Sequence, residues 1–172
     1  SNATAIGQDS FRECTSLAKV SISESVTMIN DNSFQGCSSL TEITIPRSVK
    51  IIGQNAFREC KSLAKVTILA PIEEIKDNSF KGCSNLAEIT IPRSVKTIGQ
   101  NAFRECKSLA KITFPESIET IGETCFFGCI NLQIFGKIIP RNAFRACTTL
   151  KEITISNATA IGQDSFRECT SL

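Results

Sequence analysis

The sequence repeats itself with a short period, and this feature constrains the fold more than any other. Six phenylalanines, from Phe11 to Phe126, are spaced 23 residues apart, and the next two, Phe144 and Phe166, follow after 18 and 22 residues. Each is preceded five residues earlier by an isoleucine and followed three residues later by a cysteine, and a leucine comes three residues after each cysteine. A fixed period of this length predicts a solenoid, in which each repeat forms one coil and stacks on its neighbours.

The size of the repeat explains why it must recur. One repeat carries about six apolar side chains, each worth roughly 1.5–3 kcal/mol when it is buried. Ordering the backbone costs roughly 1–2 kcal/mol per residue. A single coil therefore cannot fold alone, and the same side chain is needed at the same place in every coil because each coil is buried only by its neighbours.

The repeats define one domain over residues 1–172, with seven full repeats and a partial one. The pattern starts and stops within a repeat, which predicts a piece of a longer array. Residues 1–17 are identical to residues 156–172, whereas Ser1–Asn2–Ala3 also matches a cloning remnant, and the sequence leaves both origins open. We call the repeats coils 1 to 8, with these boundaries: 4–26, 27–49, 50–72, 73–95, 96–118, 119–136, 137–158 and 159–172.

Local patterns predict the secondary structure of a coil. Segments such as Glu42–Ile45 (EITI) alternate polar and β-branched apolar residues, which predicts a short strand, and a proline such as Pro46 ends it. The segment GQNAFREC at 53–60 is too short for a lasting helix and predicts one helical or 3₁₀ turn. Strands of successive coils would form a parallel sheet along one wall.

At these residues the chain resembles the BspA-like branch of the leucine-rich repeat proteins. The resemblance covers the eight Phe-Cys-Leu units, that is, nearly the whole chain. It implies an α/β leucine-rich-repeat solenoid shaped as a horseshoe, with the parallel sheet on the concave face and short helical or 3₁₀ turns on the convex side. It also implies a surface or secreted protein, because members of this branch are implicated in adhesion to host proteins and other cells. The family has no shared catalytic residues.

Composition argues against several function classes. The chain has 19 basic and 17 acidic residues and no histidine. This balance gives no electrostatic basis for binding nucleic acid, and the apolar runs are too short for membrane insertion. Without histidine the usual general base and metal ligand are missing, so we predict no enzyme, no cofactor and no metal site.

The nine cysteines predict buried free thiols. Eight of them occupy one column, where parallel side chains do not converge as a disulfide requires. Their spacing also lacks the CxxC pattern of metal sites. The ninth, Cys125, replaces a small residue such as Ala102 and is expected to fill space. The sequence NAT at 2–4 and 157–159 fits a glycosylation sequon, and whether it is used stays open.

Two polar columns are predicted to face outward from the sheet. A charged column consists of Lys19, Glu42, Lys65, Glu88 and Lys111, followed by Ile134 and Glu152, and a hydroxyl column consists of Ser21, Thr44, Thr67, Thr90, Thr113 and Thr154. One interpretation is cross-strand pairing that fixes the register and keeps the face soluble. The other is a polar recognition surface for an extended protein ligand.

The short repeat at 119–136 departs from the pattern. Phe127, Ile130 and Ile134 replace polar residues there, and Gly136 interrupts the hydroxyl column. An exposed apolar cluster in a charged array would mark an interaction site. The alternative is that the shortened loop uncovers the core and that these residues fill the gap.

These observations lead to a functional prediction. The first hypothesis is a non-catalytic protein-interaction module of a surface or secreted protein, with host extracellular or cell-surface proteins as partners in adhesion. The alternative is a structural spacer without a ligand of its own. Because terminal coils of a solenoid expose an apolar cross-section, we also predict end-to-end self-association.

Overall fold

The computed structural model describes residues 3–156 and 158–172, and Asn2 and Asn157 of the two sequons lie outside this range. The described chain is a stack of coils joined by parallel strands. The strands are β1 (Ala5–Ile6), β2 (Met28–Ile29), β3 (Glu42–Ile45), β4 (Ile51–Ile52), β5 (Lys65–Ile68), β6 (Glu74–Ile75), β7 (Glu88–Thr90), β8 (Thr97–Ile98), β9 (Lys111–Thr113), β10 (Thr120–Ile121), β11 (Asn131–Phe135), β12 (Ile138–Ile139), β13 (Glu152–Ser156) and β14 (Ala160–Ile161).

One wall is the predicted parallel sheet. It has six strands in the order β13-β11-β9-β7-β5-β3, so neighbours in the sheet come from consecutive coils. Alternation along a strand such as Glu42–Ile45 places Ile43 and Ile45 in the core and Glu42 and Thr44 in solvent. The predicted solenoid and its parallel sheet are therefore confirmed.

A second wall of short strands was not predicted. Two-residue strands pair in parallel as β1-β2-β4, β6-β8-β10 and β12-β14, each containing an isoleucine of the repeated column. Ile29 and Ile52, for example, pair directly and are buried. Two-residue strands carry no readable alternation in the sequence, so only the stacking of coils reveals them.

The predicted helical turn is wrong, because the structure contains no α- or 3₁₀-helix in residues 3–156 and 158–172. Two residues in each coil have left-handed φ angles, for example Asn78 at 55° and Gly82 at 76°, on either side of Phe80. These left-handed residues prevent a continuous helix. They also orient every second N–H group toward the next coil. The N–H groups of Asn78, Phe80 and Gly82 thus donate to carbonyls of the next coil at 2.7 to 3.0 Å. Asparagine or aspartate occupies the first position in seven of the eight coils, and both tolerate this conformation well. The second position is glycine in three coils and glutamate in four.

The core is a column of phenylalanine rings. Neighbouring rings from Phe11 to Phe103 are parallel within 6°, with centroids 5.1 to 5.6 Å apart. Such separations suit offset stacking, which adds to the burial of apolar area. Leucine, isoleucine and cysteine columns surround the rings, and the members from Phe34 to Phe144 are fully buried.

The predicted column of buried free thiols is confirmed from Cys37 to Cys147. Thiols in this column donate to the phenylalanine carbonyl of the preceding coil, as Cys60 does to Phe34 at 3.1 Å and Cys83 to Phe57 at 3.1 Å. Burial raises the pKa of Cys37 to about 11 and that of Cys147 to about 12. These thiols therefore stay protonated, and each satisfies a backbone acceptor inside the core.

Thiol labelling tests this arrangement. At pH 8 we expect iodoacetamide to modify the exposed Cys14 rapidly and the partly buried Cys169 slowly, while the other seven cysteines react only after denaturation. The reason is that alkylation needs an accessible thiolate, and burial denies both access and ionisation. Peptide mass spectrometry of labelled native and denatured chain measures this, and fast native labelling of Cys83 would contradict it.

Replacing a phenylalanine by alanine tests whether each ring is stabilised by the rings of the neighbouring coils. Phe80→Ala removes a ring with a stacked neighbour on each side and should lower the free energy of unfolding by about 3–5 kcal/mol. Phe11→Ala is the control, since Phe11 is partly exposed and has one stacked neighbour. Urea unfolding followed by circular dichroism should give a clearly smaller loss for Phe11→Ala, and equal losses would contradict the stacking account.

Candidate protein-interaction surface

The outer face of the six-stranded sheet presents the predicted polar columns in register. Glu42 lies opposite Lys65, Lys65 opposite Glu88, and Glu88 opposite Lys111. All four side chains are exposed. The column thus alternates in sign from strand to strand, although Lys19 precedes it outside any strand.

The charged column does not form ion pairs in the described chain. No salt bridge within 4.0 Å joins Glu42, Lys65, Glu88 or Lys111 to a described residue. Opposite charges on adjacent strands still favour this register over one that pairs like charges. The carboxylate and ammonium groups of these side chains nevertheless remain available to form hydrogen bonds with a partner.

The hydroxyl column is also in register. Thr44 lies opposite Thr67 on β3 and β5, and Thr90 lies opposite Thr113 on β7 and β9. Thr44 and Thr90 are exposed, and Thr67 and Thr113 are partly buried. The sheet face therefore offers a row of hydroxyls parallel to the charged row.

The sequence-based placement of Ile134 on this face is wrong. Gln133, not Ile134, lies opposite Lys111, and Ile134 pairs with Ile112 and is only 1% exposed. The register shifts because the strand of coil 6 starts one residue early relative to its leucine. Since side chains alternate between faces, a shift of one residue moves Ile134 from the surface to the core.

The two columns end at this shifted strand. Phe135, rather than Gly136, continues the threonine row, and the ammonium group of Lys111 lies 5.2 Å from the centre of its ring. On the next strand Thr154 lies opposite Gln133, so Glu152 falls outside the charged row. The outer face thus changes from alternating charges to an amide and an aromatic ring at β11.

Phe127 and Ile130 lie on the turn side of coil 6 and not on the sheet. Phe127 is partly buried beneath Arg104, whose guanidinium carbon is 4.3 Å from the ring centre. Ile130 is 41% exposed. The structure therefore does not bring Phe127, Ile130 and Ile134 together into one apolar surface.

The junction between coils 6 and 7 is irregular. The rings of Phe126 and Phe144 are tilted by 33° instead of stacked. Elsewhere three backbone bonds join consecutive turns, but here the N–H of Gly128 donates to the hydroxyl of Thr149 at 2.8 Å. The main sheet continues across the junction while the turn wall does not.

Loss of a loop at this junction opens a groove. Coils 4 and 5 carry full loops at 91–95 and 114–118, whereas coil 6 passes from Phe135 to Ile139 with four residues fewer. The resulting groove has a volume of about 650 Å³, which is the size of many ligand sites. Its lining combines Thr90 and Thr113 of the sheet with Arg93, Glu116 and Lys137.

The charged side chains at the groove differ in whether they form a salt bridge. Lys137 forms a salt bridge with Glu116 at 2.8 Å, and this hydrogen bond lowers the pKa of the Glu116 carboxyl and raises that of Lys137. Arg93 is exposed and makes no salt bridge with any described residue. A guanidinium without a salt-bridge partner can bind a carboxylate with two parallel hydrogen bonds.

Sequence reasoning missed the residue that fills the gap beneath the groove. Phe114 occupies a column held by Ile45, Ile68 and Ile91 in earlier coils. It is 4% exposed, and its ring centre lies 6.1 Å from that of Phe126 and 6.3 Å from that of Phe144. A larger side chain one coil before the shortened repeat was the available signal.

Neither a metal centre nor a membrane span is found within the described ranges. No cluster of three or more potential metal-ligating side chains occurs there. No helix of the described chain is long and apolar enough to cross a bilayer.

The fold and the repeated columns define a leucine-rich-repeat solenoid, a class that generally binds proteins and typically lacks catalytic activity. Residues 4–133 and 137–172 match a family model described as "BspA type Leucine rich repeat region (6 copies)". The chain belongs to this family, which confirms the resemblance seen in the sequence.

Solved structures of bacterial proteins share the fold. A leucine-rich repeat protein of T. pallidum is 32% identical with a TM-score of 0.66, over 86% of this chain and 72% of that one. A leucine rich cell surface protein of Faecalibacterium prausnitzii is 26% identical with a TM-score of 0.66, over 98% and 56%. A leucine-rich repeat protein of Eubacterium ventriosum is 25% identical with a TM-score of 0.70, over 96% and 40%. A comparison with curated proteins gives no match.

Substitutions on β11 test the corrected register. Ile134→Ala should lower the free energy of unfolding by about 2–5 kcal/mol, because Ile134 is buried in the core. Gln133→Ala is the matched control and should change it by less than about 0.5 kcal/mol, because Gln133 is exposed. Urea denaturation of both variants measures the difference, and the reverse order would contradict this register.

Proposed function

We propose that this chain is a non-catalytic interaction module of a surface or secreted protein and that it mediates adhesion to host or cell-surface proteins. The observation that carries the proposal is the polar outer face of the main sheet, which runs into the groove lined by residues of coils 4 to 7. The exposed charged side chains from Glu42 to Lys111 on this face form no salt bridge with a described residue. Such groups are free to pair with a ligand.

The proposed ligand is an extended protein segment that crosses the strands and ends in the groove. Threonine and charged columns provide polar contacts along the path, from Thr44 and Glu42 to Thr90 and Lys111. At the groove Arg93 would bind a carboxylate of the ligand. On β11, Phe135 would provide an apolar contact beside Lys111. Arginine and aromatic residues are the side chains that most often dominate binding energy at protein interfaces.

Membership of this family supports a location at the cell surface and a protein as the partner. Leucine-rich repeat modules generally bind proteins, and one structural neighbour is named as a cell surface protein. The identity of the ligand and its adhesive role are part of the proposal.

A structural spacer is the second candidate. The nearly unbroken stack of phenylalanine rings and inter-coil backbone bonds supports it, because this packing would hold flanking domains apart at a fixed distance. The two functions differ in whether the sheet face binds anything.

Surface plasmon resonance tests the proposal. The 172-residue chain is immobilised, and purified extracellular-matrix proteins and cell-surface ectodomains are passed over it. For any protein that binds, Arg93→Ala combined with Lys137→Ala should weaken binding by roughly tenfold or more, since each removes a cation from the groove.

The chain provides a matched control for this experiment. Arg47 lies in the segment PRSVK of coil 2, the same five residues that surround Arg93 in coil 4, but Arg47 does not line the groove. Arg47→Ala should leave binding unchanged. Equal losses for both variants would overturn the groove assignment, and an absence of binding across the panel would favour the spacer.

A further inference from the structure

Three basic side chains form a row on the turns of coils 3 to 5. Arg58, Lys81 and Arg104 each follow a phenylalanine of the core column, in the turn between the second wall and the main sheet. The rings of those phenylalanines have centroids 5.5 and 5.6 Å apart, so the three residues recur at this spacing along the stack. We call these three residues the basic row. Coils 2 and 6 lie on either side of it, so the row is interior to the array.

The basic row places like charges next to one another. On the sheet face, by contrast, the charged column from Glu42 to Lys111 alternates in sign. Like charges on neighbouring coils repel each other and oppose folding. In the middle of the row, burial and the charges of Arg58 and Arg104 lower the pKa of Lys81. An anion bound along the row would remove this repulsion.

The acids near the row do not neutralise it. No salt bridge within 4.0 Å joins a member of the basic row to a described residue. Glu59 and Glu105 raise the pKa of Lys81, but less than burial and the two arginines lower it. The carboxylate of Glu59 lies 3.9 Å from the ammonium of Lys61. That of Glu105 lies 3.8 Å from the ammonium of Lys107. The surface therefore has five cations and two carboxylates.

The arginines of the row keep hydrogen-bond donors without a partner. All three side chains of the row are partly buried, which limits their freedom before a ligand binds. The guanidinium carbon of Arg104 lies 4.3 Å from the centre of the Phe127 ring. Such stacking covers the flat face of the guanidinium, whereas its N–H groups lie in its plane and can bind an oxyanion. The Nε of Arg58 has no hydrogen-bond partner among the described residues.

We propose that the basic row binds a linear sulfated polysaccharide that lies along the stack. Sulfate groups on successive sugars would pair with Arg58, Lys81 and Arg104 on successive coils, because a guanidinium binds two oxygens of one oxyanion at once. This surface lies on the turns and not on the sheet face. The inference therefore goes beyond the proposed protein-binding function and does not depend on it.

The surroundings of the row favour this ligand over two other polyanions. Single-stranded nucleic acid binds by stacking its bases on aromatic side chains, but the ring next to the row, Phe127, is covered by Arg104. An acidic protein segment would need apolar or aromatic anchors. In the turns at 54–62, 77–85 and 100–108, every side chain that reaches the surface is polar. A polar, highly charged sugar chain fits such a surface.

The repeats supply substitutions that the fold already accepts. Coil 2 has DNSFQGC at 31–37, where coil 4 has DNSFKGC at 77–83, so Gln35 and Lys81 are equivalent. Lys81→Gln gives coil 4 the segment of coil 2 and interrupts the basic row. Gln35→Lys gives coil 2 the segment of coil 4 and extends the row by one cation.

Isothermal titration calorimetry of the full chain with a size-defined heparin oligosaccharide tests the proposal. Lys81→Gln should weaken binding by roughly fivefold or more, and Gln35→Lys should strengthen it by a similar factor, because each changes the row by one cation. Lys50→Gln is the charge-matched control. Lys50 is exposed, lies outside these turns and forms no salt bridge with a described residue, so its replacement should leave the affinity unchanged. The affinity should fall with salt concentration, less steeply for Lys81→Gln.

A single-stranded DNA oligonucleotide and a polyglutamate peptide are titrated as the other polyanions. Tighter binding of either one than of heparin, or no binding of heparin, would overturn the proposal. Equal effects of Lys81→Gln and Lys50→Gln would also overturn it, because they would indicate attraction by the overall charge. Circular dichroism verifies that each variant folds. If Lys81→Gln does not fold, Gln35→Lys decides alone, and an unchanged affinity then counts against the row.

Discussion

Every coil of this protein depends on contact with a chemically equivalent coil above and below it. The phenylalanine column illustrates the constraint, since the faces of rings 5.1 to 5.6 Å apart are buried by the rings of the neighbouring coils. Backbone groups follow the same rule, because left-handed residues turn alternate N–H groups toward the next coil. Stability is thus a property of neighbouring pairs of coils.

The shortened coil 6 shows the effect of a coil that is not equivalent to its neighbours. Removing five residues, one before the strand and four after it, tilts one ring pair, interrupts the backbone ladder of the turn wall and requires Phe114 to fill the core. The same loss leaves the groove beside Arg93 and Lys137. An irregularity that weakens packing therefore creates a place where the sheet face, the loops and unlike charges meet.

Much of this architecture could be read from the columns. The repeat predicted the solenoid, the parallel sheet, the buried thiols and the alternating charges from Glu42 to Lys111, because each is a periodic consequence of stacking. Predictions from the repeat fail where the length of the repeat changes. Counting from Leu132 predicts Ile134 at the surface, yet the strand is shifted by one residue, and Gln133 faces solvent instead.

Among the repeats of 23 residues, the sequence by itself determined which residues lie above one another, since equal repeats stacked in register leave no other arrangement. Only the tertiary structure decided how the chain turns between strands, where two residues of each coil adopt left-handed angles instead of a helical turn. Only it located the groove, because a cavity arises from the difference in length between loops that are neighbours in space. The physical reason is that a period specifies contacts between equivalent residues, whereas a shortened repeat brings together residues that are not equivalent.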